Sequence, residues 1–146
     1  MSETGRKTRI LFLCTGNACR SQMAEGWVRH LKSDVIEAYS GGIWPAGVSS
    51  RATNVMAEAG VDISSQTSDH VEEFLRIDFD YVITLCDNAR ESCPVFGGEA
   101  RLVHKPFKDP VMATGSADEI MRAFRKTRDK IRAFVETLPE SLPKKI

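Results

Sequence analysis

The chain has 146 residues, the size of one ordinary globular domain, and 42% of them are hydrophobic, enough to bury a single core. Its 20 basic and 20 acidic residues cancel, which excludes the global field of a nucleic-acid or membrane-surface binder, so any bound anion must be held by local groups. The polar start MSETGRKTR leads into an apolar run too short for a signal-peptide core or a bilayer span, and a cytoplasmic location with no membrane and no nucleic-acid partner is expected.

In chain order, Arg9 to Leu13 is a short β-rich run that ends on Cys14 and reads as a buried strand entering a loop. From Ser21, a plausible N-cap, Met23, Ala24, Trp27, Val28 and Leu31 recur at helical spacing through about Lys32. Val35 to Tyr39 is a second strand, closed by Ser40-Gly41-Gly42. Ser50 to Gly60 reads as a helix with Gly60 just past its end, and Ser68 to Leu75 carries another helical pattern. Asp80 to Leu85 is a third strand that again ends on a cysteine, and Ala100 to His104 is a fourth. Ala117 to Leu138 closes the chain as a long helix with Ile120, Phe124, Ile131 and Phe134 on its apolar face. The expected fold is α/β: one domain over 1–146, frayed at 1–8 and 139–146, with a parallel sheet flanked by helices and ligands beyond the carboxyl ends of its strands.

The chemistry concentrates first in Cys14-Thr15-Gly16-Asn17-Ala18-Cys19-Arg20-Ser21. A loop joining a strand to a helix N-terminus lets the backbone N–H groups of Thr15, Gly16, Asn17, Ala18, Cys19 and Arg20 converge on one tetrahedral oxyanion. Gly16 and Asn17 are the types that most readily take the positive φ such a curl needs. Arg20 adds a planar fork for two oxyanion oxygens. The same positive surroundings should lower the pKa of Cys14 and set a thiolate in line with the bound central atom, with Ser21 able to donate to the sulfur. Cys19 reads as a neutral loop-lining residue rather than a disulfide partner of Cys14.

A second motif, Cys86-Asp87-Asn88-Ala89-Arg90-Glu91-Ser92-Cys93-Pro94, sets two cysteines seven residues apart directly after a strand. Were the segment a regular helix, their Cα atoms would lie roughly 10 Å apart at about 1.5 Å rise per residue, beyond the roughly 7 Å a disulfide spans. The segment must therefore unwind for the pair to join, and Asp87, Asn88 and Pro94 give it weak ends. A pair of inert buried thiols remains an alternative, as does a zinc site, although positions 14, 19, 86 and 93 lack the close pairing of a zinc knuckle. Asp109-Pro110 follows the fourth strand, a turn position from which a carboxyl reaches the anion as general acid.

The loop Cys14 to Ser21, with Gln22-Met23-Ala24-Glu25-Gly26 behind it, resembles that of arsenate reductases sharing the low-molecular-weight tyrosine phosphatase fold. Phosphatases of that fold usually have Pro after the Arg-Ser pair; Gln22 here favours the reductase branch. The resemblance implies a three-layer sandwich with a four-stranded parallel sheet, arsenate as substrate and arsenic detoxification as the role. It also implies a thiol-disulfide relay. Cys14 forms an arseno-thiol adduct, Cys86 attacks it and releases arsenite, Cys93 closes a disulfide with Cys86, and thioredoxin restores the dithiol. The stretch His104, Phe107, Asp109, Pro110 matches the family's pattern and implies Asp109 as acid, with His104 a packing residue. Lys105 departs from it, standing where many relatives carry Trp.

No obligatory cofactor is implied, but some members bind potassium through positions matching Asn17, Glu25, Ser40, Thr67 and Asp69. The competing enzyme is a low-molecular-weight protein tyrosine phosphatase, against which stand Gln22, the Cys86/Cys93 pair and the lack of an evident aromatic rim. A non-enzymatic redox sensor or arsenite buffer would need neither Arg20 nor Asp109. Trp27 is assigned to the core and Trp44 to loop packing.

Overall fold

In the computed structural model, which describes residues 6–96 and 100–144, four parallel strands make one sheet: β1 (Thr8–Cys14), β2 (Ile36–Gly42), β3 (Tyr81–Thr84) and β4 (Arg101–His104), in the order β2-β1-β3-β4. Four helices, α1 (Arg20–Leu31), α2 (Ser50–Glu58), α3 (Asp87–Glu91) and α4 (Ala117–Glu136), and two 3-10 turns, Val71–Phe74 and Pro110–Met112, connect and cover it. Ile10, Leu11, Phe12 and Leu13 of β1 are all fully buried. Because neighbouring side chains on a strand point to opposite faces, such a run is possible only where both faces are covered, which gives the three-layer sandwich expected from the sequence. Burying each of these side chains contributes about 1.5–3 kcal/mol.

Helix α1 buries Met23, Ala24, Trp27 and Val28, and Trp27 Nε1 donates to the Arg128 carbonyl at 3.1 Å, fixing α4 alongside. Gly26 lets α1 come close to its neighbours: a Cβ there would stand 2.6 Å from Ile63 Cγ2. On α4 the buried residues are Phe124, Thr127, Ile131 and Val135, while Ile120 and Phe134 are only half-buried, so the apolar stripe is rotated slightly from the expected one. Among the described residues no helix is long and apolar enough to cross a membrane.

From β1 the chain steps outward to β2 on one side, and β3 lies on the other. The crevice between the carboxyl ends of β1 and β3 is therefore a topological switch point, the place where parallel sheets bind ligands. Cys14 ends β1, the Leu85 amide donates to the Leu13 carbonyl at 2.8 Å, and Cys86 follows at once.

Several expectations are corrected. Helix α1 starts at Arg20 after Cys19 with no side-chain cap, because the Ser21 hydroxyl is drawn to Cys14 and Asn17 instead. Residues 68–75 form only the short turn Val71–Phe74, since the Asp69 amide and carbonyl are taken by Asn17 Oδ1 and the Gly42 amide, and those bonds hold the backbone extended. β2 runs on to Gly42, pairing Ser40, Gly41 and Gly42 with Phe12, Leu13 and Cys14. The tails are also held. Arg6 pairs with Asp80, Thr8 is in β1, Leu142 is buried, and the Pro143 and Lys144 carbonyls accept from Tyr81 Oη and Arg101. The remainder of the expected fraying, residues 1–5 and 145–146, lies outside the described residues.

Candidate active site

The loop from Thr15 to Cys19 has its carbonyls turned outward and tied down. The Cys14, Thr15, Gly16 and Ala18 oxygens accept from the amides of Ile43, Trp44, Ala46 and Ser49, and the Asn17 oxygen accepts from Gln22 Nε2. Among the described residues the amides of Thr15 to Cys19 donate to no protein acceptor. Five such donors on one curl beside a helix N-terminus suit an anion, which would complete the bonds that the protein does not make. Positive φ is found at Asn17, at 47°, but not at Gly16. Asn17 is fully buried; its Oδ1 accepts from the Asp69 amide at 2.9 Å and its Nδ2 donates to Ser21 Oγ at 2.7 Å, so the loop's one left-handed residue is locked from both ends. Gly42 is where β2 passes behind the loop: a Cβ there would stand 2.8 Å from the Asn17 nitrogen.

Around this cradle the structure gathers the expected groups. Cys14 Sγ lies 2.9 Å from Ser21 Oγ at the mouth of α1. The Arg20 side chain is 9% exposed; one guanidinium nitrogen donates to the Phe107 carbonyl at 3.0 Å and the other pairs with Asp109 Oδ2 at 3.3 Å. Asp109 is brought there because the Lys105 and Phe107 amides donate to the Thr84 and Leu85 carbonyls, carrying the post-β4 loop across the end of β3. Its other oxygen accepts from the Val111 amide at 3.0 Å, capping the second turn. Lys105 sets its ammonium 5.7 Å from both the Phe107 and Phe134 rings, so a cation–π contact packs this loop.

Cys86 is the N-cap of α3, its sulfur accepting from the Ala89 amide at 3.4 Å, and it lies 3.3 Å from Thr15 Oγ1. Asn88 Nδ2 donates to the same hydroxyl at 3.2 Å. Cys93 sits beyond the end of α3, half-buried, and burial pushes its thiol up from the usual range. All four cysteines are free. Cys19 is buried, and burial, opposed by a bond to Ser49, pushes its pKa up to about 11. Cys19 is therefore expected to be the last thiol alkylated by iodoacetamide as pH is raised, reacting appreciably only near that value or after unfolding; peptide mass mapping across a pH series checks this, and labelling of Cys19 at neutral pH would refute it.

The five oxygen-bearing residues matched to an ion site fall into two linked pairs and a hinge. Ser40 Oγ donates to Glu25 Oε1 at 2.6 Å, Thr67 Oγ1 donates to Asp69 Oδ2 at 2.7 Å, and Asn17 Oδ1 holds the Asp69 amide. An all-oxygen set with two carboxylates fits a hard cation, although Arg29 already pairs with Glu25 at 2.8 Å. Gln22 ties the Asn17 hinge to the Thr67–Asp69 pair, its Nε2 donating to the Asn17 and Thr67 carbonyls, each at 2.9 Å, while Glu25 and Ser40 bond each other.

Trp44, expected to pack on the loop, does so only in part. Only its backbone packs on the loop, donating to the Thr15 carbonyl at 2.8 Å; the residue is 73% exposed and supplies an aromatic beside the site. The anchoring of the loop carbonyls by residues 43–49 was invisible in the sequence, because those bonds are made by backbone that no residue type encodes.

A buried-sheet α/β sandwich with a Cys-x5-Arg-Ser cradle at its switch point defines a class of phosphatase-like oxyanion-binding folds. The chain belongs to the low molecular weight phosphotyrosine protein phosphatase family, whose model matches residues 9–146. Within it the chain is similar to the arsenate reductase of Halalkalibacterium halodurans, 44% identical over 135 residues that cover 92% of this chain and 97% of the relative. Two solved structures, an arsenate reductase in the phosphate binding state and one in the oxidized state, match with TM-scores of 0.72 and 0.76 at 33% and 32% identity, each covering 90% of this chain and 95% of the other.

Proposed function

We propose that this protein reduces arsenate to arsenite by a three-cysteine relay regenerated by thioredoxin. The observation that carries the reading is the Thr15 hydroxyl, which touches Cys86 Sγ at 3.3 Å and so sets a second thiol against the anion loop, where a phosphatase has no use for one. Thr15, Gly16, Asn17, Ala18, Cys19 and Arg20 hold the oxyanion, and Cys14 attacks arsenic while Asp109 delivers a proton to the departing oxygen. Anion binding exchanges the Arg20–Asp109 contact for Arg20–oxyanion contacts, which frees the Asp109 carboxyl at the point of use. Cys86 then attacks the Cys14 sulfur: an S–S bond forms, the As–S bond breaks, and its electron pair leaves with arsenic as arsenite. Cys93 displaces Cys14 from Cys86, leaving the Cys86–Cys93 disulfide for external reduction.

The test is arsenate-dependent NADPH oxidation by the wild-type protein with thioredoxin and thioredoxin reductase, beside a parallel assay with glutathione, glutaredoxin and glutathione reductase. Turnover in the first assay alone is expected; turnover in the second alone would replace thioredoxin with a small-thiol system, and none in either would refute the reductase.

A phosphatase reading retains one specific support, the exposed Trp44 beside the loop, against which an aryl phosphate ring can stack. Slow aryl-phosphate hydrolysis that falls on Trp44→Ala is its signature.

We also propose that Asn17, Glu25, Ser40, Thr67 and Asp69 hold a potassium ion that stiffens the loop's rear wall. Replacing 0.1 M choline chloride by potassium chloride should raise the melting temperature by a few degrees, on the order of 1 kcal/mol, in wild type but not in Glu25→Gln. Equal melting in both salts would refute the site.

A further inference from the structure

His104 has both ring nitrogens engaged. Nδ1 lies 2.8 Å from Thr84 Oγ1, at the end of β3, and Nε2 lies 2.9 Å from Asp87 Oδ1, on the first residue of α3. An ionised carboxylate only accepts, so Nε2 carries the proton and donates to Asp87. Thr84 serves either state of the other nitrogen: its hydroxyl can donate to a bare Nδ1 or turn toward the Val103 carbonyl, 3.5 Å away, and accept from a protonated one. The ring is thus braced on the sheet, with its side chain 20% exposed, while the Asp87 carboxyl it grips is 72% exposed on a five-residue helix. That helix separates Cys86 from Cys93 and is also held by the Asn88–Thr15 bond, the Ala89–Cys86 cap and the buried Ala89 side chain, while Arg90 lies 3.9 Å from the same Asp87 oxygen.

A helix this short is marginal on its own, and because its axial rise holds Cys86 and Cys93 apart, closing the dithiol is expected to unwind it. We propose that His104 is a positioning residue whose bond to Asp87 latches the first turn of α3 in the dithiol form and thereby sets the equilibrium of the Cys86–Cys93 couple. The inference rests on the relay reading of that pair. Closure breaks the latch, so the latch stabilises dithiol over disulfide and makes the disulfide easier for the external reductant to open. Closing the disulfide against oxidised dithiothreitol moves two electrons and two protons from the Cys86 and Cys93 thiols to the reagent, one S–S bond forming in the protein as one breaks in the reagent.

The experiment is a redox titration of the full chain in mixtures of reduced and oxidised dithiothreitol, read by differential alkylation and peptide mapping of the segment holding Cys86 and Cys93. His104→Ala should shift the equilibrium about fivefold toward the disulfide, which at roughly 30 mV per tenfold for a two-electron couple is about 20 mV more negative. Asp87→Ala, a surface change that leaves the sheet intact, should shift it by the same amount, and the double variant should shift it no further. His104→Gln, which keeps a donor for the carboxylate, should stay near wild type. Additive shifts in the double variant would make each residue act alone, and unchanged titration in both single variants would remove the latch; either result overturns the proposal. Failure of the wild type to form a Cys86–Cys93 disulfide at all would sink the relay, and the latch with it.

Discussion

Cys14→Ser is expected to abolish arsenate-dependent turnover, a loss of at least about 10⁴-fold, or roughly 5.4 kcal/mol at about 1.36 kcal/mol per decade. A serine hydroxyl fills the same space and keeps the contact with Ser21, so the loop survives, but it is a far weaker nucleophile and cannot pass electrons from sulfur to arsenic. The other two cysteines fail differently because they act later. Cys86→Ser should stop before arsenite is released, leaving Cys14 modified by arsenic. Cys93→Ser should release about one arsenite per protein molecule and then stall as a Cys14–Cys86 disulfide, since the thiol that resolves it is gone. Quantifying arsenite per enzyme and mapping disulfides by peptide mass separates the three. Multiple turnover by Cys93→Ser with thioredoxin present would show that the external reductant resolves the first disulfide directly and that Cys93 has no part in the relay.

The order of failure follows from structure as well as chemistry. Cys86 is already at the cradle, touching Thr15, whereas Cys93 lies past α3 with its thiol pushed up by burial. In the proposed relay, burial that pushes the Cys93 thiol up would keep it a weak nucleophile while the helix is intact. Unwinding of α3 would remove both obstacles together, bringing the sulfur to Cys86 and exposing it to water. If the proposed relay operates, the short helix between the two cysteines would time its last step.

The site was legible in the sequence to the extent that chemistry is carried by residue type at fixed spacing. Cys14, Arg20 and Ser21 converge as their spacing implies, and Asp109 arrives at Arg20. The centre of the sheet was legible because β1 and β3 are apolar runs ending on cysteines, whereas the edge strand β4, Arg101–His104, is short and half polar. What was hidden depended on tertiary hydrogen bonds. Residues 68–75 carry a helical pattern, yet the segment stays extended because Asn17 and Gly42 claim the Asp69 backbone. Ser21 looks like a helix cap, but a buried sulfur and a buried amide outcompete the backbone for its hydroxyl. His104 looked like packing because the Asp87 it binds is distant in sequence and comes near only through the pairing of β4 with β3.

Arg20→Lys and Asp109→Asn test the two charges that face the cradle, and they should fail in distinguishable ways. Arg20 spreads its guanidinium between the Phe107 carbonyl and the Asp109 carboxylate, and in the proposed reaction that planar fork would span two oxyanion oxygens. A lysine ammonium in the same nearly buried place meets only one of those demands. We expect kcat/KM for arsenate to fall by about 10²–10³-fold, with both kcat and KM affected, because the fork would bind the ground state and bind the transition state more strongly still. Asn at 109 keeps the shape and can still accept from the Val111 amide, so the turn stays capped, but it has no proton to deliver. Its loss should appear in kcat, by about 10²–10⁴-fold, with KM little changed. Steady-state kinetics on both variants decides the assignment. If Asp109→Asn keeps more than half of the wild-type kcat, the proton comes from elsewhere and the Asp109 carboxyl serves only to hold Arg20 in register before the anion arrives.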